Sequence, residues 1–414
     1  ARALTDRPGG AFEARMASLV QVAAAGVVLK GLGHLMGIIS SSSSNSAAIS
    51  EIKTREGKKA KELGAAAAMW SASELATLMT SLKKGAGDVG SALDWPALRK
   101  LLSETVHLPP KVWPVTSKSA EGLANLVGGP DDPVFQSLFH RVLKDGHWDA
   151  AAKVASARSQ GDKPWVVLVT GVNGIRKTTS VYQPWFKSAL AHTLGKTFAG
   201  DEAQLPDGSN SFFRQLDYMI ATVANEDFRR LYRLSDVTEY SREKAGIFKR
   251  YRTLAEMVGI LLCREAQQRR MNVMVETSGR DIASFHYVDH LFADESYNKL
   301  VIHFTINDIG FAERSVDNRM EREMKEGREA VRRGAHPREI IGVNAGGPYG
   351  SEVLAGVQKD SDKTWEAVLK GAAGKSWYKA SIRIAAHATE GWVVRAIDEA
   401  TGVASSAYSF SVRR

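Results

Sequence analysis

The chain has 414 residues, 44% hydrophobic and 24% charged, with a formal charge of +9 at pH 7. That balance excludes a disordered or collagen-like chain and leaves room for about two domains with real cores. A single cysteine, Cys263, excludes an intrachain disulfide and fits a reducing compartment, cytoplasm or organelle interior. The basic excess favours anionic partners, whether nucleotide, nucleic acid or membrane surface, without choosing among them.

The chain begins on Ala, as a processed or partial chain would, and shows no compact secretory signal. Residues 18–39, SLVQVAAAGVVLKGLGHLMGII, approach the length of a bilayer span, but Lys30, His34 and several glycines interrupt them. Three readings stand: a packed or partner-facing helix, a membrane-associated segment, or the remnant of a targeting peptide. SSSSSNS (40–46) reads as a loop, and 51–70 as a polar helix.

Ser71 and Glu74 in SASELATLMTSLKK spell a capping box ahead of an apolar-periodic helix. DWPALRKLLSETV (94–106) places Pro96 near a helix start, PPKVWP (109–114) interrupts, and DDPVFQSLFHRVLKDG (131–146) is a helix with a glycine stop. Residues 1–155 are therefore expected to be all-helical, a surface for protein partners without a catalytic constellation.

From residue 156 the pattern changes to strands alternating with helices: WVVLVT (165–170), NVMVET (272–277), KLVIHFT (299–305), ASIRIAAH (380–387) and GWVVRAI (391–397). Such alternation predicts an α/β domain built on a parallel sheet over 156–414. VGILLC (258–263) reads as core, with Cys263 a buried small residue.

Directly after the first strand comes GVNGIRKTT (171–179). Phosphate-binding loops follow G-x-x-x-x-G-K-[ST], in which main-chain amides cradle phosphates, the lysine reaches the terminal ones and the hydroxyl meets Mg²⁺. Gly171, Lys177 and Thr178 occupy their places, Asn173 and Gly174 supply turn conformations, and Thr179 continues the helix. Arg176 stands where the second glycine belongs; it could point away, clamp a phosphate or fill the site. Pro184 should kink or restart the helix that follows. The ligand expected from the loop is a nucleotide or phosphate, with Mg²⁺ at the Thr178 hydroxyl.

The strand 272–277 ends in ETSGR, with Glu276, Gly279 and Arg280 at the carboxyl edge where ligands of open sheets gather. Together with the loop, this segment resembles the zeta-toxin family of P-loop kinases over roughly 165–340. The resemblance implies a P-loop kinase-like fold preceded by an all-α domain, and phosphoryl transfer from ATP or GTP to a small-molecule hydroxyl such as that of a nucleotide sugar. It further implies that Glu276 binds the acceptor, that Arg319 is the first lid arginine and that Arg332 or Arg333 is the second. Laying SNSFFRQ on the family's acceptor motif puts Ser211 in the place of the catalytic Asp, with Arg214 as a substrate contact. Asp201, Asp207 and Asp217 are nearby acids, and no strand is evident in 196–218.

With both the loop glycine and the general base irregular, two further readings remain: an inactive nucleotide-binding or scaffold subunit of a larger complex, and a nucleotide-driven switch. His286 and His290, four apart, read as structural because no zinc-ligand spacing accompanies them. No convincing nucleic-acid motif is present.

Overall fold

A computed structural model describes residues 70–108, 113–343, 346–387, 391–397 and 401–410. The segments at 18–39, 40–46 and 51–69 lie outside the described residues. Among the described residues, no helix is long and apolar enough to cross a membrane.

Among the described residues, five α-helices come first: α1 (Ala72–Ala86), α2 (Trp95–Thr105), α3 (Trp113–Val127), α4 (Pro133–Asp145) and α5 (Trp148–Ser156). The capping box forms as the sequence reads, with Ser71 and Glu74 exchanging bonds across the start of α1. Asp94 caps α2 through the amide of Ala97, with Pro96 in the first turn. Leu78, Leu98, Leu102, Phe135 and Val142 face inward from these helices and are almost completely buried.

The seven-stranded sheet follows, ordered β2-β3-β1-β4-β5-β6-β7. Its strands are β1 (Trp165–Thr170), β2 (Ser211–Arg214), β3 (Asn272–Glu276), β4 (Asn298–Ile306), β5 (Trp377–His387), β6 (Gly391–Ile397) and β7 (Tyr408–Phe410). The five strands from β2 to β5 pair in parallel, while β6 and β7 join the edge antiparallel. The strands foreseen at 165–170, 272–277, 299–305, 380–387 and 391–397 are all present within a few residues.

Two corrections concern the sheet. The parallel reading fails for β6 and β7, because a hairpin rather than a crossover follows β5. A strand does exist within 196–218: β2 spans four residues and is buried throughout. Its polar ends hid it, since Ser211 and Arg214 are buried by pairing with Asn210 and Glu256 rather than by being apolar.

Helices flank the sheet: α6 (Lys177–Val181), α7 (Phe186–Leu194), α8 (Leu216–Val223), α9 (Asn225–Leu231), α10 (Val237–Gln268), α11 (Ala283–Leu291), α12 (Ile309–Arg332), α13 (Pro337–Val343) and α14 (Leu354–Leu369). The helix expected after the loop breaks at Tyr182–Trp185, around Pro184, so α6 has only five residues and α7 restarts at Phe186. The 32-residue α10 is the spine. Its stretch from Thr253 to Cys263 is buried continuously between α3, α8 and β3. Burial pushes the Cys263 thiol up to about 11, which leaves it a protonated core residue. The five N-terminal helices and the sheet share one apolar cluster.

Candidate phosphate-binding site

The buried strand β1 delivers Gly171 to the carboxyl edge of the sheet with φ +126, a conformation only glycine adopts freely. Gly174, at φ +85, lies so close to α12 that a Cβ would come within 2.6 Å of the Ala312 carbonyl oxygen. The loop is thus folded tightly between β4 and the first turns of α12. Among the described residues, a loose turn at Asn173–Gly174 apart, no close hydrogen bond engages the amides of Val172 through Thr179; the first helical bond runs from the Ser180 amide to Arg176. A run of donors without internal acceptors is what an anion would satisfy.

Lys177 is buried and lies back across the loop. Its Nζ donates to the carbonyl oxygens of Gly171 and Val172, 2.8 Å each, and stands 3.3 Å from Oε1 of Glu276. The other carboxylate oxygen, Oε2, accepts from the Thr178 hydroxyl at 2.6 Å. Glu276 therefore holds the lysine and the threonine at once. It can do so because β3 lies directly beside β1 in register, with Val169 opposite Glu276. The turn after β3 is fastened to the loop as well: the Gly171 amide donates to Ser278, and the Thr277 amide to Val169. Gly279, at φ +72, has no room for a Cβ, which would meet Thr170 at 2.6 Å. Arg280 lies 5.3 Å from the Tyr349 ring centroid and donates to its hydroxyl.

Thr178 and Glu276 are adjacent oxygen donors of the kind Mg²⁺ takes, with phosphate and water completing the shell. Among the described residues, no group of three or more His, Cys, Asp or Glu side chains could hold a metal alone. The residues present fit a Mg²⁺ that arrives with a phosphate.

The acid facing this centre is Asp217, on the first turn of α8 just past the carboxyl end of β2. Burial pushes its carboxyl up to about 6; Lys244 and Arg319 pull it down, and Glu276 and Glu323 push it up further. Behind it, Lys244 is wholly buried and paired with Glu323 at 2.6 Å, and Glu323 also accepts from the Tyr240 hydroxyl. Arg319, on α12, sits 3.6 Å from Glu323 and donates to the Gly347 carbonyl oxygen. A short strap at 346–350 crosses here. A Cβ on Gly347 would lie 2.6 Å from the Asn173 amide nitrogen and 3.7 Å from the Asp217 carboxylate.

The structure thus brings together Gly171, Asn173, Gly174, Arg176, Lys177, Thr178, Thr179, Glu276, Gly279, Arg280 and Arg319, and leaves five expected residues elsewhere. Ser211 pairs with Asn272 at the amino end of β3, opposite the end that carries Glu276. Asp207 precedes it and is spent on a turn, accepting from the amides of Ser209 and Asn210. Arg214 turns into the core, paired with Glu256 and lying 5.0 Å from the Tyr287 ring centroid. Arg332 and Arg333 sit at the far end of α12, roughly 20 Å along its axis from Arg319. They are exposed there and paired with Glu329 and Glu339.

A cavity of about 710 Å³ opens at the amino ends of β4 and β5, lined by Asp289, Asp294, Lys299 and Lys375. Lys299 bridges both aspartates at 2.6 Å, and the site lies across the sheet from the loop.

No family model and no curated protein matches this chain. Among solved structures it is similar to one described as the molecular and structural characterisation of the PezAT chromosomal toxin-antitoxin system of Streptococcus pneumoniae. The similarity has 10% identity and a TM-score of 0.32, and it covers 59% of this chain and 78% of that one.

Proposed function

We propose that this chain binds ATP or GTP with Mg²⁺ and transfers a phosphoryl group to a hydroxyl of a small molecule, a nucleotide sugar being the first acceptor to try. The observation that carries the reading is Glu276 holding Lys177 and Thr178 with its two oxygens, beside a loop whose amides make no close internal hydrogen bond among the described residues. Phosphoryl transfer asks for positioning and charge neutralisation more than covalent chemistry. Lys177 would leave its loop carbonyls for the terminal phosphates, and Arg319 would offset charge on the transferring group. Thr178 and Glu276 would hold Mg²⁺, which would supply charge neutralisation for the phosphates. Asp217, whose proton affinity is raised toward neutrality, would take the acceptor's proton.

The test is Mg-ATP turnover with and without a nucleotide sugar. Lys177→Ala should cut turnover at least about a hundredfold by removing a charge-assisted contact that strengthens in the transition state. Asp217→Asn should abolish transfer while leaving Mg-ATP binding in place. Equal turnover by the wild type and both variants would end the catalytic reading.

A second reading, a nucleotide-binding subunit without catalysis, is favoured by the strap: Gly347 stands against Asn173 and Asp217, on the approach to the loop. It predicts nucleotide binding with no transfer to any acceptor.

A further inference from the structure

Arg176 occupies the place of the second loop glycine and pays for it in backbone conformation. Its φ is +66, in the left-handed region, where a residue with a Cβ is strained. A glycine would adopt that geometry freely. Its side chain nevertheless has a defined place. The guanidinium carbon lies 5.6 Å from the Trp392 ring centroid, and Nε is sequestered without a hydrogen-bond partner among the described residues. Trp392 itself is fixed: Phe311 meets it edge-on at 4.7 Å, and Phe410 stacks on it at 6.2 Å. The guanidinium has therefore left the interior of the loop for a rigid aromatic platform at its rim.

The charge around it is positive and only partly compensated. Arg322 and Arg319 are its charged neighbours, and among the described residues no carboxylate stands with them beside Arg176. Arg319 has Glu323 and the Gly347 carbonyl oxygen as partners. Among the described residues, no carboxylate pairs with Arg176 or Arg322. Arg322 follows Arg319 by three residues, so both lie on one face of α12, the helix whose Ala312 and Val316 pack on the loop. Arg176 is half-buried and Arg322 exposed, so the cost of an unpaired guanidinium falls mainly on Arg176, and a multiply charged anion would pair with both.

We propose that Arg176 and Arg322 form a guanidinium clamp for the polyphosphate of the nucleotide, with Trp392 as the platform that holds Arg176 open. The clamp rests on the phosphate-loop reading and adds to it a preference for highly charged donors. The residue that departs from the loop pattern is then a gain of binding function rather than a loss.

The experiment titrates Mg-ATP and inorganic tripolyphosphate into the full chain by calorimetry, beside thermal melts. Arg176→Gly restores the usual loop residue and removes the backbone strain, so its melting temperature should hold or rise. Its affinity for both ligands should fall by at least about tenfold, the size of a lost hydrogen bond to a charged group. Arg322→Gln should lose affinity in the same way, and Trp392→Leu should weaken binding by freeing Arg176. Arg176→Gly binding Mg-ATP as tightly as the wild type, or more tightly, overturns the clamp. The two readings fail differently. If Lys177→Ala loses binding while Arg176→Gly and Arg322→Gln keep it, only the clamp is wrong. If the wild type binds neither ligand, the phosphate-loop reading falls and the clamp with it.

Discussion

Asp217 is under two opposing demands. Burial and the neighbouring carboxylates Glu276 and Glu323 favour its protonated form, while Lys244 and Arg319 favour the ionised one, and the balance raises it from 3.8 to about 6. A carboxyl with a raised folded value binds more protons folded than unfolded between those two values. Stability is therefore lost as pH climbs from about 4 to about 6, and the full penalty applies above that range. The ceiling is about 3 kcal/mol at 1.36 kcal/mol per unit, reduced by whatever water reaches the group. Asp217→Asn should leave stability unchanged at pH 4 and raise it at pH 8, as read from urea midpoints. If Asp217 also takes the acceptor's proton, wild-type transfer should rise with pH through about 6, opposite to the trend in stability. A variant no more stable than the wild type at pH 8 would show that the raised proton affinity is not a property of the folded site.

Elements place these residues through close approaches that depend on glycine, and helical glycines separate two cases. In α12, Gly327 faces the ring of Tyr232, and a Cβ there would overlap it severely. In α10, Gly246 is exposed with nothing within 4 Å of its Cβ position. Helix propensity alone gives both glycines the same response to alanine, a gain of about 1 kcal/mol. Packing reverses the sign at Gly327, where the added methyl should cost about 1–3 kcal/mol and shift the helix that carries Arg319 and Arg322. Chemical denaturation of Gly246→Ala and Gly327→Ala checks both signs, and equal shifts would refute the packing of α12 on Tyr232. Legibility followed the same division. The apolar strands β1, β3, β4, β5 and β6 announced themselves by composition, as did the loop at 171–179. The short β2 did not, because its ends are polar, and without it the sequence offered no way to rank Asp207, Ser211 and Asp217. Strand direction separates their positions: residues before β2 fall at the amino edge, and Asp217, after it, lies toward the edge that carries Glu276. Arg319 and the pair Arg332 and Arg333 lie on one charged helix, and only its length shows that the pair sits far from the loop.

At the scale of the described chain, the N-terminal helices and the sheet do not have separate cores. A tight apolar gap of about 10 Å³ is lined by Leu82, Leu98, Leu102, Leu123 and Leu138 from the helices, and by Leu254 from α10. Ion pairs cross the same boundary, Lys84 with Glu226 and Arg264 with Glu121, but half-exposed pairs of this kind contribute little. Burial must therefore supply the coupling. Leu254→Ala should cost about 2–5 kcal/mol, because the surrounding leucines cannot collapse into the void. Since α10 touches both α3 and β3, the loss should be felt on both sides of the boundary. Near-ultraviolet signals from Trp95 and Trp148 among the helices and from Trp165 and Trp377 in the sheet, separated by single tryptophan replacements, should then melt together at a lower temperature. If the helical signal moved alone, α10 would be a surface on which an autonomous domain rests. If all move together, the five helices are part of the scaffold that holds α8, and with it Asp217, against the loop.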